Sequence, residues 1–405
     1  MTAFVFLNRY FHPDESATSQ MLTDLARALA TRGFEVHVVC SRQLYDDAGA
    51  RLAPRERVLG VEVHRIPTTR FGRFRLLGRA LDYASFYVSA AVYLLRILRR
   101  GDVVIAMTDP PLLSLLTVPI AAVKRATLIN WQQDVFPEVA SHLGVNPLPA
   151  AVDRWLRRLR DASLRSATSN VTIGERMREY FVTRGIPEAK LEVIENWSDA
   201  DAIQPKPAAA SSLRQALGLG DRFVVGYSGN LGRAHEIDTL LGAAEGLKDE
   251  PAFLFLMLGG GAKMAALKQA VDARKLKNFR FLEYQPRAAL EDSLAAADVH
   301  LVSLLPALEG LIVPSKLYGI LAAGRPVIFI GDAAGEVGRV ILDAQCGRTV
   351  AVGDSRGLAE TLRLLQAQPD LRAEMGTRAR RLLCERFTAQ RAFECWTAVL
   401  ERARR

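Results

Sequence analysis

Short unbroken apolar runs alternate with amphipathic stretches along the first two hundred residues. AFVFLN (3–8) predicts a buried strand, followed by a helix from Ser19 to Arg32 that Gly33 ends. EVHVVC (35–40) and VEVHRIP (61–67) predict further strands, then a helix near 79–99 and a strand at DVVIAM (102–107). ATLINWQQD (126–134), a helix at 150–166, SNVTI (169–173), a helix at 175–184 and LEVIEN (191–196) continue the series. Strands alternating with helices imply βαβ units and a parallel sheet.

The pattern breaks at DADAIQPKPAAASSLRQALGLGDR (199–222), whose Ala, Pro and Ser content reads as a linker leading into a helix. It then restarts. RFVVGYSGNLG (222–232), FLFLMLGGG (253–261), NFRFLEYQP (278–286), VHLVSLL (299–305) and PVIFIG (326–331) supply a second set of strands. The fold expected is therefore α/β, with two Rossmann-like doubly wound domains facing a cleft. Residues 1–200 form the first and 201–385 the second, and a C-terminal helix at 386–405 packs back toward the first. Ligands of such sheets bind outside the carboxyl ends of the strands, so the cleft is the expected site.

Composition narrows the partners. The chain has 405 residues, 49% of them apolar, and a formal net charge of +9, which favours anionic ligands or surfaces. No RNP-like run of basic and aromatic residues is present, which argues against nucleic acid. The four cysteines, at 40, 346, 384 and 395, have no metal-ligand spacing and read as free thiols of a reducing cytoplasm. Asp199-Ala200-Asp201 spells a DxD but sits at the linker with no strand before it, so no metal is expected.

Two glycine-bearing turns close strands of the second series, Gly226-Tyr227-Ser228-Gly229-Asn230-Leu231-Gly232-Arg233 and Gly259-Gly260-Gly261. Glycine brings backbone N–H groups close to phosphate, and a helix N-terminus beyond it favours the anion. Arg233 adds a charge-assisted bond. An ordinary βα turn that needs positive φ explains the same glycines. No GK[ST] follows, so neither is a P-loop, and the first strand lacks the GxGxxG of a nicotinamide enzyme. In the stretch from Glu309 to Val327, a loop carrying Glu309 leads to a helix starting near Pro314, with Ser315 and Lys316 at its positive end.

The fragments FLNRYFHPDESATSQMLTDLARALATRGFEVHVVC, NWQQDVFPE, VIENW, GYSGNLGRAHEIDTLL, LGGGAKMAALK and EGLIVPSKLYGILAAGRPV cover most of the chain in order. Through them the chain resembles retaining GT-B glycosyltransferases of family 4, within the bacterial WcaI/WbuB-like branch of colanic acid and O-antigen synthesis. The resemblance implies hexosyl transfer from a nucleoside diphosphate sugar, without a cofactor, to a glycan or polyprenyl-diphosphate-linked acceptor in exopolysaccharide or lipopolysaccharide synthesis. It places Glu309 near the donor sugar and puts Gly319 where the family carries its ribose-holding glutamate. Arg233 and His235 match the basic pair at the diphosphate, Tyr284-Gln285 the loop beside the nucleobase, and Gln133-Asp134 the near-catalytic His-Asp element. Gly229, Asn230, Gly259, Gly260, Gly261, Ile312, Val313, Ser315 and Lys316 complete the donor set. His12, Asp134 and Glu309 are the catalytic candidates, and Glu15, Ser16 and Gln133 lie on the acceptor side. Arg233, Lys316 and the glycine-turn N–H groups would stabilise charge on the departing diphosphate. Asp134 has a competing reading as a helix N-cap. A nonhydrolysing sugar-nucleotide epimerase shares the fold, and Gly319 and Gln133 also fit a non-catalytic scaffold.

One apolar stretch, YASFYVSAAVYLLRIL (83–98), is too short and interrupted to span a bilayer. Arg65, Arg70, Arg73, Arg75, Arg79, Arg96, Arg99 and Arg100 flank it, and Arg154, Arg157, Arg158, Arg160 and Arg165 form a second basic run. Peripheral attachment to the anionic cytoplasmic face of the inner membrane is expected, with Leu76, Leu77, Phe86 and Tyr87 dipping into the interface. The competing reading makes 79–99 a helix that covers the sheet.

Overall fold

A computed structural model of the chain describes residues 2–45, 47, 49–71, 76–145 and 148–404, with Leu76 as backbone alone. The chain divides into two compact units, Met1–Glu195 with Gln390–Arg405, and Asn196–Ala389.

The first unit holds strands β1 (Ala3–Leu7), β2 (Glu35–Ser41), β3 (Arg55–Val58), β4 (Val61–Ile66), β5 (Val103–Ala106), β6 (Thr127–Gln132), β7 (Ser169–Thr172) and β8 (Leu191–Val193). They form one sheet in the order β3-β4-β2-β1-β5-β6-β7-β8. All neighbours are parallel except β3, which runs antiparallel to β4 at the edge. The β1 sequence is apolar throughout because both of its faces are covered. Ala3, Val5 and Leu7 pack under the helices Leu76–Ile97 and Leu113–Lys124, with Phe86, Ala90, Leu94 and Leu98 pressed against them. That four-residue spacing marks the buried stripe of the longer helix. The helix Leu113–Lys124 carries Pro119 in its interior and was not legible as a helix.

The last helix, Ala389–Arg404, belongs almost entirely to the first unit. Trp396 is fully buried with its ring 4.7 Å from that of Trp131 in β6. Arg32 bonds the Phe393 carbonyl at 3.1 Å and the Thr397 hydroxyl at 2.6 Å, and Arg402 pairs with Glu192 at 2.6 Å.

The second unit holds β9 (Phe223–Ser228), β10 (Phe253–Leu258), β11 (Phe279–Leu282), β12 (Val299–Ser303), β13 (Val327–Ile330) and β14 (Gly347–Val350). The sheet is wholly parallel, in the order β11-β10-β9-β12-β13-β14. Phe223, Val225, Phe253, Phe255 and Leu301 lie in one core, and Val224, Leu254, Leu256 and Leu258 pack on the opposite face.

The stretch 199–222 is not a loose linker. Asp292 accepts from the Lys206 ammonium at 2.6 Å and from the N–H groups of Ser212 and Leu213 at 2.9 and 2.8 Å. Although burial opposes it, Lys206 and these bonds hold the Asp292 carboxyl far below the usual carboxylate range. The segments entering and leaving the unit also pair, with Ser198 N–H on Phe387 O at 3.1 Å and Ala389 N–H on Ser198 O at 3.2 Å.

Candidate functional site

Strand order in the second sheet reverses between β9 and β12, and the carboxyl ends of those strands are where a doubly wound sheet binds ligands. The glycine turn after β9 lies there beside the one after β10. Gly229 N–H bonds Leu258 O at 2.8 Å, and Leu231 N–H bonds Gly260 O at 2.7 Å. The three turn glycines Gly229, Gly259 and Gly261 have φ of +111°, +119° and +121°. A Cβ on Gly259 would fall 2.5 Å from Gly229 O, and one on Gly261 2.3 Å from Asn230 Oδ1. Close approach of the two turns therefore demands glycine. The half-exposed Tyr284 ring lies over Gly260, where a Cβ would meet its Cε2 at 3.0 Å. The Gln285 side chain turns back to Glu283 O.

Lys316 reaches into this crevice from the first position of the helix Lys316–Ala322. Its ammonium donates to Asn230 O at 3.2 Å and to the Tyr227 hydroxyl, and it sits 3.8 Å from the centre of the Tyr227 ring. His235 Nε2 is 3.4 Å away. None of these partners is a carboxylate. Burial pushes the Lys316 pKa well down and the Tyr227 phenol well up.

His235 departs from the expected basic pair. Burial, then the Lys316 ammonium, push its pKa down to about 3, so the ring is neutral near pH 7. Its Nδ1 lies 2.6 Å from Ser303 O, which assigns the proton to Nδ1 and leaves Nε2 to accept from Lys316. His235 thus orients a cation rather than being one. Arg233 is exposed on the same loop.

Two features of the Glu309–Val327 segment differ from expectation. The helix runs Lys316–Ala322, so Pro314 lies before it and Ser315 stands at its N-cap without a side-chain cap bond. Ile312 and Val313 are half-buried in the loop that leads in. Glu309 Oε2 accepts from Glu336 N–H at 3.1 Å, at the start of the helix Glu336–Asp343. At Gly319, a Cβ would meet nothing closer than Leu294 Cδ1 at 3.6 Å, so sterics do not require glycine there.

The first-unit candidates gather at the carboxyl ends of β1 and β6. Asp14 organises the loop after β1. Its Oδ1 accepts from Ser16 N–H at 2.9 Å and from the Ser16 hydroxyl at 2.5 Å, and its Oδ2 accepts from Tyr45 N–H. Ser16 is the N-cap of the helix Ala17–Thr31, but its hydroxyl serves Asp14 instead of the helix. His12 and Glu15 are exposed on this loop, with the His12 carbonyl held by Arg65 Nη2 at 2.7 Å. After β6, Gln133 is buried and Asp134 faces a small pocket with Thr108, Ser114, Gln132, Phe136 and Arg160. Burial first, and then Asp109, push the Asp134 pKa up to about 6. Asp134 is not a helix cap, because the next helix starts at Glu138 with Pro137 as its N-cap.

Sequence reasoning missed Tyr227, Lys263 and Asp14. Lys263 donates to the His235 carbonyl, and its place two residues after Gly261 was the available signal. Asp199 spends its carboxylate on the N–H groups of Asp201 and Ala202. Among the described residues no cluster of three His, Cys, Asp or Glu is placed to hold a metal.

This geometry is that of two doubly wound units, the second bearing an anion-ready crevice at its switch point. The model of the glycosyl transferase 4-like domain matches residues 16–197, and that of the glycosyl transferases group 1 matches 211–382. The glycosyltransferase WbjE of Pseudomonas aeruginosa is 30% identical over 304 residues, 74% of each chain. The colanic acid biosynthesis glycosyl transferase WcaI of Escherichia coli K12 is 27% identical over 347 residues, 82% of this chain and 83% of that one. The Anabaena HepE structure in complex with UDP-glucose superposes with a TM-score of 0.74 at 16% identity, covering 99% of this chain and 100% of that one. The chain belongs to family 4 of the GT-B glycosyltransferases, in the WcaI-like branch, and is an enzyme of that class.

Proposed function

We propose that the chain transfers a hexosyl group, with retention, from a nucleoside diphosphate sugar to a glycan or polyprenyl-diphosphate-linked acceptor. The setting is cell-envelope polysaccharide synthesis at the cytoplasmic face of an anionic inner membrane. The observation that carries the donor assignment is Lys316, an ammonium held by neutral groups alone beside two abutting glycine turns. A half-buried cation without a carboxylate is left short of charge, and a diphosphate in the crevice supplies it. Support also comes from WcaI, described as a colanic acid enzyme, and from HepE, seen with UDP-glucose.

In this reading Lys316 and Arg233 stabilise charge on the departing diphosphate, aided by N–H groups of the turns. Tyr284 borders the nucleobase, as its place over Gly260 allows. Glu309, oriented by Glu336 N–H, serves the sugar. His12 and Asp134 act with Glu309 at the reacting centre, and Glu15, Ser16 and Gln133 serve the acceptor. No cofactor or metal takes part.

Calorimetry against UDP, GDP, dTDP and their sugars, followed by determination of the product anomer, tests the proposal. An α-linked donor should yield an α-linked product. An inverted product would refute retention, and an epimerised sugar nucleotide formed without acceptor would favour the epimerase.

A further inference from the structure

Gly335 stands between β13 and the helix Glu336–Asp343, as the N-cap of that helix, with φ −72° and ψ 179°. Every residue type adopts that backbone, so conformation does not call for glycine. The Glu309 side chain does. A Cβ on Gly335 would fall 2.3 Å from the Glu309 carboxyl carbon and 2.4 Å from each of its oxygens. Overlap of that kind drives one group away. With a hydrogen in place of the Cβ, Glu309 Oε2 reaches the Glu336 N–H at 3.1 Å, at the positive end of the helix.

The chain on both sides keeps this arrangement in place. Gly335 N–H donates to Asp332 O at 3.0 Å, and Ala334 N–H donates to Asp332 Oδ1 at 2.9 Å, which closes the turn after β13. Gly338 in the first turn of the helix lets that turn lie close, since a Cβ there would fall 2.5 Å from both Asp332 O and Ala333 O. Gly335 is buried, whereas Asp332, Ala333 and Ala334 are exposed. Glu309 itself follows the short turn Pro306–Leu308 beyond β12, the parallel neighbour of β13. The entry to that turn is tied to the loop of Arg233 and His235 by Leu305 N–H on Ala234 O at 2.9 Å.

We propose that Gly335 is the positioning residue for Glu309. Its missing side chain leaves the room in which the carboxylate meets the Glu336 N–H, and so sets where the donor sugar finds that carboxylate. The inference rests on the reading that Glu309 serves the sugar. Glycine is also an acceptable N-cap in its own right, but that role does not involve Glu309 and predicts a different outcome. The atoms in the way of a Cβ are the far end of a flexible side chain, so Gly335→Ala displaces the carboxylate and spares the fold.

The test compares the full chain with Gly335→Ala, Glu309→Ala and the double variant. Melting temperature is read for each, with affinity for whichever of UDP, GDP and dTDP the wild type binds and turnover of the corresponding sugar nucleotide. Gly335→Ala should keep its nucleotide affinity and melt within about 3 °C of the wild type. Its kcat should fall on the order of a hundredfold, as for a reacting group misplaced by about 1 Å, with little change in donor KM. The double variant should turn over as fast as Glu309→Ala alone, because no carboxylate remains for the Cβ to displace. Losses that multiply in the double variant would overturn the proposal, as would a Gly335→Ala variant whose nucleotide affinity and melting temperature fall with its turnover. Wild-type turnover by Glu309→Ala refutes the placement of Glu309 at the sugar and this inference with it. Where Glu309→Ala is impaired, a Gly335→Ala variant with the wild-type rate refutes this inference alone.

Discussion

Asp134→Asn should make the protein more stable and less active. The carboxylate is half-buried beside the pocket after β6, and burial followed by Asp109 lifts its pKa from 3.8 to about 6. A folded-state pKa above the unfolded one means that the ionised form opposes folding. At about 1.4 kcal/mol per pH unit, the rise amounts to about 3 kcal/mol against the folded state above pH 6. The penalty fades as pH falls through 6 and is gone near 4, where the group is protonated in both states. The Asn variant should therefore exceed the wild type by about 2–3 kcal/mol at pH 7.5, and the difference should shrink steadily toward pH 4. Urea unfolding followed by tryptophan fluorescence reads this out, since Trp131, Trp155 and Trp396 lie in the first unit and only Trp197 in the second. Turnover should fall at the same time, as expected where a carboxylate is kept at a cost for function. A stability difference independent of pH, or a variant less stable at pH 7.5, would refute the reasoning.

Three further outcomes follow from the second unit. Lys316→Met should weaken nucleoside diphosphate binding by roughly tenfold or more, the worth of a charge-assisted contact. Calorimetry reads that affinity, and a variant that binds as tightly as the wild type would remove Lys316 from the donor site. Gly261→Ala should lower both donor affinity and melting temperature, because its Cβ would fall 2.3 Å from Asn230 Oδ1 at a φ of +121°; a variant with wild-type affinity would separate the turn from the donor. Glu309→Gln should reduce turnover far more than melting temperature, because the amide oxygen can still accept from Glu336 N–H, and unimpaired turnover would assign Glu309 to the fold alone.

The two sheets and their glycine turns were legible in the chain because parallel strands covered on both faces must be apolar end to end, and because two abutting turns admit only glycine. The apolar runs of β1, β9 and β10 and the GYSGNLG and LGGG turns state those local demands directly. The short edge strand β3 and the Pro-bearing helix Leu113–Lys124 were not legible, since neither carries a clean period. What tertiary structure decided is the environment of each side chain. Arg65 and Arg160 read like their solvated neighbours in sequence, yet pair with buried or half-buried carboxylates. His235 and Lys316 both read as cations, but enclosure with Tyr227 and Ser303 leaves one neutral and the other depressed. Asp134 acquires its raised pKa from burial and from Asp109, twenty-five positions away. Periodicity records which face of an element is apolar, whereas charge state and exposure depend on what other elements bring alongside, and long-range packing alone supplies that.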